Sequence, residues 1–324
     1  MQAVILAAGK STRTYPLTLT KPKPLLKVAN KTMLEHNLDN LNGIADEVII
    51  VVGYKKNLIK KYIGNKYKNL KIKFVEQKQQ LGTAHAVSLG EGHIKDRFVL
   101  LMGDDIYSRE DMKKCIRYRY SILTKKVENP QNFGVVIEKN GILTGFVEKP
   151  KKFVSDTAST AFYSLDKKIF NYIRQIKKSK RNELEMPDAI KLLAKEEKIH
   201  IVKSKKWLPI VYASDLLKAD KELRKNKNII GKNTKILGNV KNTSIGKNCI
   251  IKGIVKNSII MDKTIIDENS IVENSVIGEN VSFKGNALNA IISDNVKLKN
   301  VLIKHCKIWP NKKIKNKNIE HDVQ

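Results

Sequence analysis

The chain has 324 residues, 62 Lys or Arg against 32 Asp or Glu, and a formal net charge of +30. That length predicts two domains, and a hydrophobic content of 41% excludes a mostly disordered chain. Its apolar runs, such as 48–52 and 98–102, fall far short of the roughly 20 residues a membrane helix needs, so no membrane partner is expected.

Residues 3–7 read as a buried strand followed by a glycine-containing loop. Residues 33–41 have helical spacing, 47–52 form a β-branched run, 57–63 read as a helix and 71–75 as a strand. Residues 83–94 suit a helix weakened near its end by Gly90 and Gly92, and 98–102 form a strand ending at Gly103-Asp104. Residues 134–138 and 142–148 read as a hairpin around Asn140-Gly141. Helices are expected over 170–176 and 188–196, a strand over 199–202, and a helix over 215–223 with Ser214 as its N-cap. Such alternation predicts an α/β domain over 1–225, with a Rossmann-like, mostly parallel sheet covered by helices. Ligands of such sheets bind beyond the carboxyl ends of the strands, here the loops after Ala7 and Met102.

Texture changes near residue 226. Residues 226–324 hold 17 Asn and 19 Ile but only two aromatics, Phe283 and Trp309. Similar units end at Ile245, Ile260, Ile277, Ile292 and Ile303, with shorter Ile-Gly-Lys/Glu-Asn sub-repeats between them. About six residues per step with one aliphatic predicts a three-sided parallel β-helix, its aliphatics stacked inside and Asn and Gly at left-handed corners. The basic excess is spread over both parts: 45 basic and 24 acidic residues in 1–225, 17 and 8 in 226–324. That dispersal fits composition bias better than a nucleic-acid surface, so nucleic acid is not an expected partner. The start MQAVILAAGK has no basic segment before an apolar core, as a secretory signal would. Cys115, Cys249 and Cys306 lie far apart with no CxxC pair, which suits a reducing, cytoplasmic setting. The six histidines form no metal-spaced cluster.

The strongest motif is LAAGKSTRTYPLT at residues 6–18, continuing to KPKP at 21–24. A turn of small residues after a strand lets backbone N–H groups approach phosphate oxygens, and Arg13 and Lys23 add positive charge. It is neither a P-loop nor a dinucleotide fingerprint, because GxxxxGK[ST] and GxGxxG are both absent. These residues resemble the signature of the sugar-1-phosphate nucleotidylyltransferases, LAAGxGTRxxPLT followed by PKP, and the resemblance covers nearly the whole length. Several family members carry a left-handed β-helix after the catalytic domain. The resemblance implies that Leu6, Ala7, Ala8, Gly9, Ser11 and Thr12 approach the nucleotide. EQKQQLGTAHA at 76–86 resembles the nucleobase segment of the uridylyl- and thymidylyl-transferring branches, which puts Gln77, Gly82 and Thr83 at the base. Gly103-Asp104 matches a metal-binding Gly-Asp, so Asp104 is expected to bind Mg²⁺. Gly134, Glu148-Lys149-Pro150 and the position of Ser159 match contacts to the sugar phosphate, and RNELEMPD at 181–188 is similar to RGExExTD.

Three departures stand out. Ser11 replaces the signature's second glycine, which costs about 1–2 kcal/mol if the backbone there is left-handed. Ser159-Thr160-Ala161 stands where Asn-x-Gly is usual. Trp207-Leu208-Pro209-Ile210 aligns with WxDI, so Pro209 occupies the place of a second metal carboxylate, and Asp215 lies too far along to replace it. The expected activity is transfer of a nucleotidyl group from UTP or dTTP to a sugar 1-phosphate, with pyrophosphate leaving. Arg13, Lys23 and Lys149 hold the phosphates, Mg²⁺ is the cofactor, and the β-helix serves homo-oligomerisation. Pro209 motivates one alternative, a weak or inactive regulatory homologue. The ending Ile308-Trp309-Pro310-Asn311-Lys312 motivates another, a mannose-1-phosphate guanylyltransferase-like enzyme.

Overall fold

The computed structural model describes residues 1–324. The chain forms two compact units, Met1–Gly9 with Leu34–Leu208, and Lys10–Met33 with Pro209–Gln324.

The first unit is built on strands β1 (Gln2–Ala7), β2 (Glu47–Val52), β3 (Lys66–Tyr67), β4 (Leu70–Glu76), β5 (Phe98–Met102), β6 (Ser121–Lys126), β7 (Gly134–Lys139), β8 (Ile142–Glu148), β9 (Thr157–Leu165) and β10 (His200–Lys203). They form one ten-stranded sheet in the order β7-β8-β10-β6-β9-β5-β1-β2-β4-β3. The run β4-β2-β1-β5 is parallel, as expected, and so is β6 with β10. The sheet as a whole is mixed, because the hairpin β7–β8 and the returning strand β9 pair antiparallel. β1 and β2 are buried on both faces, which is why they read as unbroken apolar runs. Val4, Leu6, Ile49, Val51, Phe98 and Leu100 share one core with the helices Thr83–Ser88, Ile169–Ile173 and Met186–Leu193.

β6, β9 and the helix Arg109–Cys115 lie outside the elements expected from the sequence. Ser108 caps that helix by accepting from Asp111 N at 3.1 Å. Buried Asp111 holds the loop after β10, accepting from Ser204 Oγ at 2.9 Å and from Lys205 N and Lys206 N at 3.0 and 3.1 Å.

The second unit is a parallel β-helix together with the segment Lys10–Met33. Its strands stack in parallel on three faces, consistent with the left-handed form. The first face stacks Ser244–Ile245, Ile259–Ile260, Val276–Ile277, Ile291–Ile292 and Lys307–Ile308. Ile245, Ile260, Ile277, Ile292 and Ile308 are all fully buried. The final repeat on this face therefore ends at Ile308. Ile303, expected there from the sequence, stacks on a different face against Ala287 and Ile319. Coil length varies, 15, 17, 15 and 16 residues from Ile245 to Ile308, and Ser282–Leu288 and Lys297–Lys304 each run around a corner as one strand, which shifts the rhythm. Left-handed corners are mostly asparagine, as at Asn233, Asn248, Asn280, Asn295 and Asn311, with Lys263 adopting the same conformation in that series. Asn280 donates to Asn295 Oδ1 at 2.9 Å and Asn295 to Asn311 Oδ1 at 3.2 Å, a short side-chain ladder down that corner.

Ser214 does not cap the helix Asp215–Arg224. Its backbone is helical and its side chain caps nothing. Asp215 Oδ2 instead accepts from Val211 N and Tyr212 N at 3.0 and 2.8 Å. That oxygen is committed to the turn before the helix.

Candidate active site

In the first unit four loops leave the carboxyl ends of adjacent parallel strands. They carry Ala8-Gly9 after β1, Gly53 after β2, Gln77 after β4 and Gly103-Asp104 after β5. Backbone bonds lace them together. Tyr54 N donates to Ala8 O at 3.0 Å, Gln77 N to Val52 O at 2.8 Å and Gly103 N to Leu6 O at 2.8 Å. A Cβ on Gly53 would stand 2.8 Å from Ala8 O and 3.1 Å from Gln77 O, so the loops meet only because that side chain is missing. Gln80 Nε2 donates to Ala8 O at 2.9 Å, a brace the sequence reading did not single out.

Gln77 is buried, and its amide donates to Gly82 O at 3.2 Å and lies 3.1 Å from His85 Nδ1. Gly82 has φ +105°, a conformation side chains rarely adopt. Thr83 Oγ1 accepts from Met186 N at 3.0 Å, Ala84 N donates to Leu184 O at 2.9 Å and Leu184 N to Leu81 O at 2.7 Å. The two stretches QLGTAHA and RNELEMPD are thus joined through 81–84 and 184–186.

On the β7–β8 side, Gly134 pairs with Glu148, and a Cβ there would stand 2.6 Å from Glu148 Oε2. Burial raises the Glu148 carboxyl above its ordinary range, with the Lys149 and Arg181 charges pulling the other way. Arg181 Nη2 lies 3.4 Å from Glu148 Oε1 and 3.1 Å from buried Glu185 Oε1. Lys149 Nζ lies 3.9 Å from Glu148 and its residue has φ +46°. Ser159 is buried in a bulge of β9: its hydroxyl accepts from Ala161 N at 3.1 Å and meets Tyr163 OH at 3.3 Å. Ala161, in the place of the usual glycine, is left-handed with φ +56°. Asp105, next to Asp104, accepts from Trp207 Nε1 at 3.0 Å, and Trp207 packs edge-on against Phe133.

In the second unit Ser11 has φ +52° and ψ +58°. The signature's second glycine position is therefore left-handed, and serine bears the cost there. Ser11 O accepts from Thr14 Oγ1 at 2.8 Å and Thr18 Oγ1 at 2.9 Å. Thr12 and Arg13 form the short 3₁₀ turn that follows, and Lys23 opens another, Lys23–Leu25. Pro209 follows the strand Trp207–Leu208.

The family model described as nucleotidyl transferase matches residues 2–226. The chain belongs to the sugar-1-phosphate nucleotidylyltransferase family. A second model, described as GMPPB C-terminal domain, matches residues 222–323. The chain is 37% identical to the bifunctional protein GlmU of Methanocaldococcus jannaschii over 255 residues, 78% of this chain and 60% of that protein. It thus spans about three fifths of the GlmU relatives it matches. It is 34% identical to the UTP–glucose-1-phosphate uridylyltransferase AglF of Haloferax volcanii over 69% of this chain and 97% of AglF. Among solved structures, one described as a glucose-1-phosphate thymidylyltransferase of Bacillus anthracis matches with a TM-score of 0.64 and 27% identity, covering 70% of this chain and 97% of that one. A UDP-glucose pyrophosphorylase complexed with UDP-glucose shares the fold, with a TM-score of 0.62 over 69% of this chain and 98% of that one.

The family generally uses a divalent metal. No three His, Cys, Asp or Glu side chains gather into a group able to hold one. Asp104 is one carboxylate, Asp105 is occupied by Trp207, and Pro209 offers none. A single carboxylate completed by substrate phosphates and water suits Mg²⁺, which seldom takes an all-protein cage.

Proposed function

We propose that this chain transfers a nucleotidyl group from UTP or dTTP to a sugar 1-phosphate, releasing pyrophosphate. One observation carries the reading: the signature turn, the Gln77–Thr83 segment and Asp104 all follow the carboxyl ends of neighbouring parallel strands, where α/β sheets bind ligands. The attacking phosphate is already ionised, so no strong base is required. Alignment and charge neutralisation then supply the rate. By resemblance to the signature, Leu6, Ala7, Ala8, Gly9, Ser11 and Thr12 approach the nucleotide, Arg13 holds the triphosphate, and Lys23 and Lys149 hold the reacting phosphates. Gln77, Gly82 and Thr83 read the base. An amide both donates and accepts, which suits a pyrimidine's imide edge. Gly134, Glu148, Lys149 and Ser159 take the sugar phosphate. Asp104 would hold Mg²⁺, which when bound neutralises phosphate charge.

The working modules are 1–225 and 226–324, acting in the cytoplasm where both substrates occur. Self-association through the β-helix is supported by outward apolar side chains such as Leu237, Ile265 and Ile271. The test is a matrix of UTP, dTTP, GTP and ATP against sugar 1-phosphates, with pyrophosphate release as readout. Turnover led by UTP or dTTP is expected, and no turnover with any pair defeats the proposal. Turnover led by GTP with mannose 1-phosphate would favour the guanylyltransferase reading that the chain's ending suggests.

A further inference from the structure

The segment carrying the signature cations is fastened to the β-helix in a regular way. Two residues beyond the last first-face residue of each coil, one corner reads Lys232, Lys247, Asp262, Glu279, Asp294 and Pro310 in successive coils. Residues 226–324 contain only eight acids, and three of them occupy three consecutive coils at this corner. Each meets a residue of Lys10–Met33. Asp262 Oδ2 accepts from Lys27 Nζ at 2.5 Å. Glu279 Oε1 and Asp294 Oδ2 lie 2.7 and 3.0 Å from Lys21 Nζ, and Asp294 Oδ2 also accepts from Thr20 Oγ1 at 2.6 Å.

The other oxygen of each aspartate works within the helix. Asp262 Oδ1 accepts from Lys247 N at 3.0 Å and Asp294 Oδ1 from Glu279 N at 2.7 Å. A Cβ on Gly246 or Gly278 would stand 2.3 or 2.6 Å from those same oxygens, so glycine one coil earlier makes room for each carboxylate. The carboxylates are therefore fixed to a rigid coil before they reach the segment. Neutral contacts complete the grip. Asn30 Nδ2 donates to Ile229 O and Ile245 O at 3.1 and 2.6 Å, and Ser293 Oγ donates to Pro16 O at 3.1 Å. The grip brackets Lys23 in sequence and begins three residues after Arg13. Lys21, Lys27 and Asp294 side chains are only 11, 13 and 8% exposed, unlike surface ion pairs that water and salt weaken.

We propose that Asp262 and Asp294 are positioning residues for nucleotidyl transfer, holding the segment that bears Arg13 and Lys23 in its working form. This rests on the proposed activity and gives the β-helix a direct part in it. The test compares the wild type with Asp262→Asn, Asp294→Asn, their double variant, Lys27→Met, and Lys27→Met combined with Asp262→Asn.

In the double aspartate variant, amide exchange at Thr14, Tyr15, Leu25 and Leu26 is expected to quicken at least about tenfold, with coil amides such as Ile250 and Lys252 unchanged. kcat/KM is expected to fall between about 10- and 100-fold, the scale of a misplaced catalytic group. Lys27→Met should cost as much as Asp262→Asn, and combining them should cost no more than either. Additive losses, unchanged segment exchange, or full activity despite quickened exchange would each overturn the proposal. Exchange needs no substrate. Quickened exchange in a protein whose wild type turns over no nucleotide would instead overturn the functional reading on which the proposal rests.

Discussion

Replacing Gly82 by alanine tests the Gln77–Thr83 segment, proposed to lie at the base, most sharply. Gly82 has φ +105° and ψ 176°, a region essentially reserved for glycine, and strain of that kind costs about 1–3 kcal/mol. The added Cβ would also stand 2.4 Å from Leu184 O and 2.7 Å from Leu184 N. Both atoms are committed, Leu184 O to Ala84 N and Leu184 N to Leu81 O, at 2.9 and 2.7 Å. The segment cannot retreat without loosening those bonds, each worth about 1 kcal/mol net. Together these predict a loss of about 3–5 kcal/mol. At roughly 2–4 °C per kcal/mol for a unit of this size, the melting temperature should fall by about 6–20 °C. Calorimetry reads that fall directly. If the strain is relieved locally, amide exchange at Ala84 and Leu184 quickens while the melting temperature holds. A variant that melts within a degree of wild type and keeps exchange protection at both amides would refute the reasoning.

Glu148→Gln should raise stability at neutral pH and, if Glu148 takes the sugar phosphate as proposed, cut kcat/KM about 10- to 100-fold, the worth of a charged hydrogen bond. The sign follows from burial. A carboxyl raised in the folded state binds its proton more tightly than in the unfolded chain, so stability falls as pH rises from 4.5 through the raised value. The glutamine variant should lose that slope in pH-dependent denaturant melts, and an unchanged slope would show that another group produces it. Ser11→Gly should stabilise by about 0.5–1 kcal/mol, since about 1–2 kcal/mol of left-handed strain is relieved against glycine's extra freedom when unfolded. If Ser11 serves a phosphate through its hydroxyl, the KM for NTP rises despite the added stability. Pro209→Asp should raise turnover at sub-saturating Mg²⁺ by about tenfold if the missing carboxylate limits the metal, and no gain would show that Asp104 and the phosphates suffice.

Several features could be read from sequence because their causes are local. β1, β2 and β5 announce themselves as apolar runs because parallel strands covered on both faces need them. The coil repeat shows because every coil needs an inward aliphatic and a residue that accepts left-handed backbone. The cost at Ser11 was legible too, since a glycine position in a strand–turn junction implies φ that serine resists.

Tertiary structure decided the rest. β9 escaped because its small polar residues, Ser159, Thr160 and Ser164, are buried by neighbouring strands and do not alternate with apolar ones. Arg181, Glu185 and Glu148 form one ion cluster only because β8 and the approach to the helix Met186–Leu193 converge. The last repeat moved from Ile303 to Ile308 because strand pairing with the coil before it, not residue spacing, sets where each coil closes. Lys21 and Lys27 looked like two more charges among 62 basic residues. Their partners stand more than 200 positions away, at one corner of a helix whose coils bring together acids that the sequence keeps apart. The sequence alone could state the size of the positive charge. Which lysines are held, and by what, depends on folding distant residues to within a few ångströms.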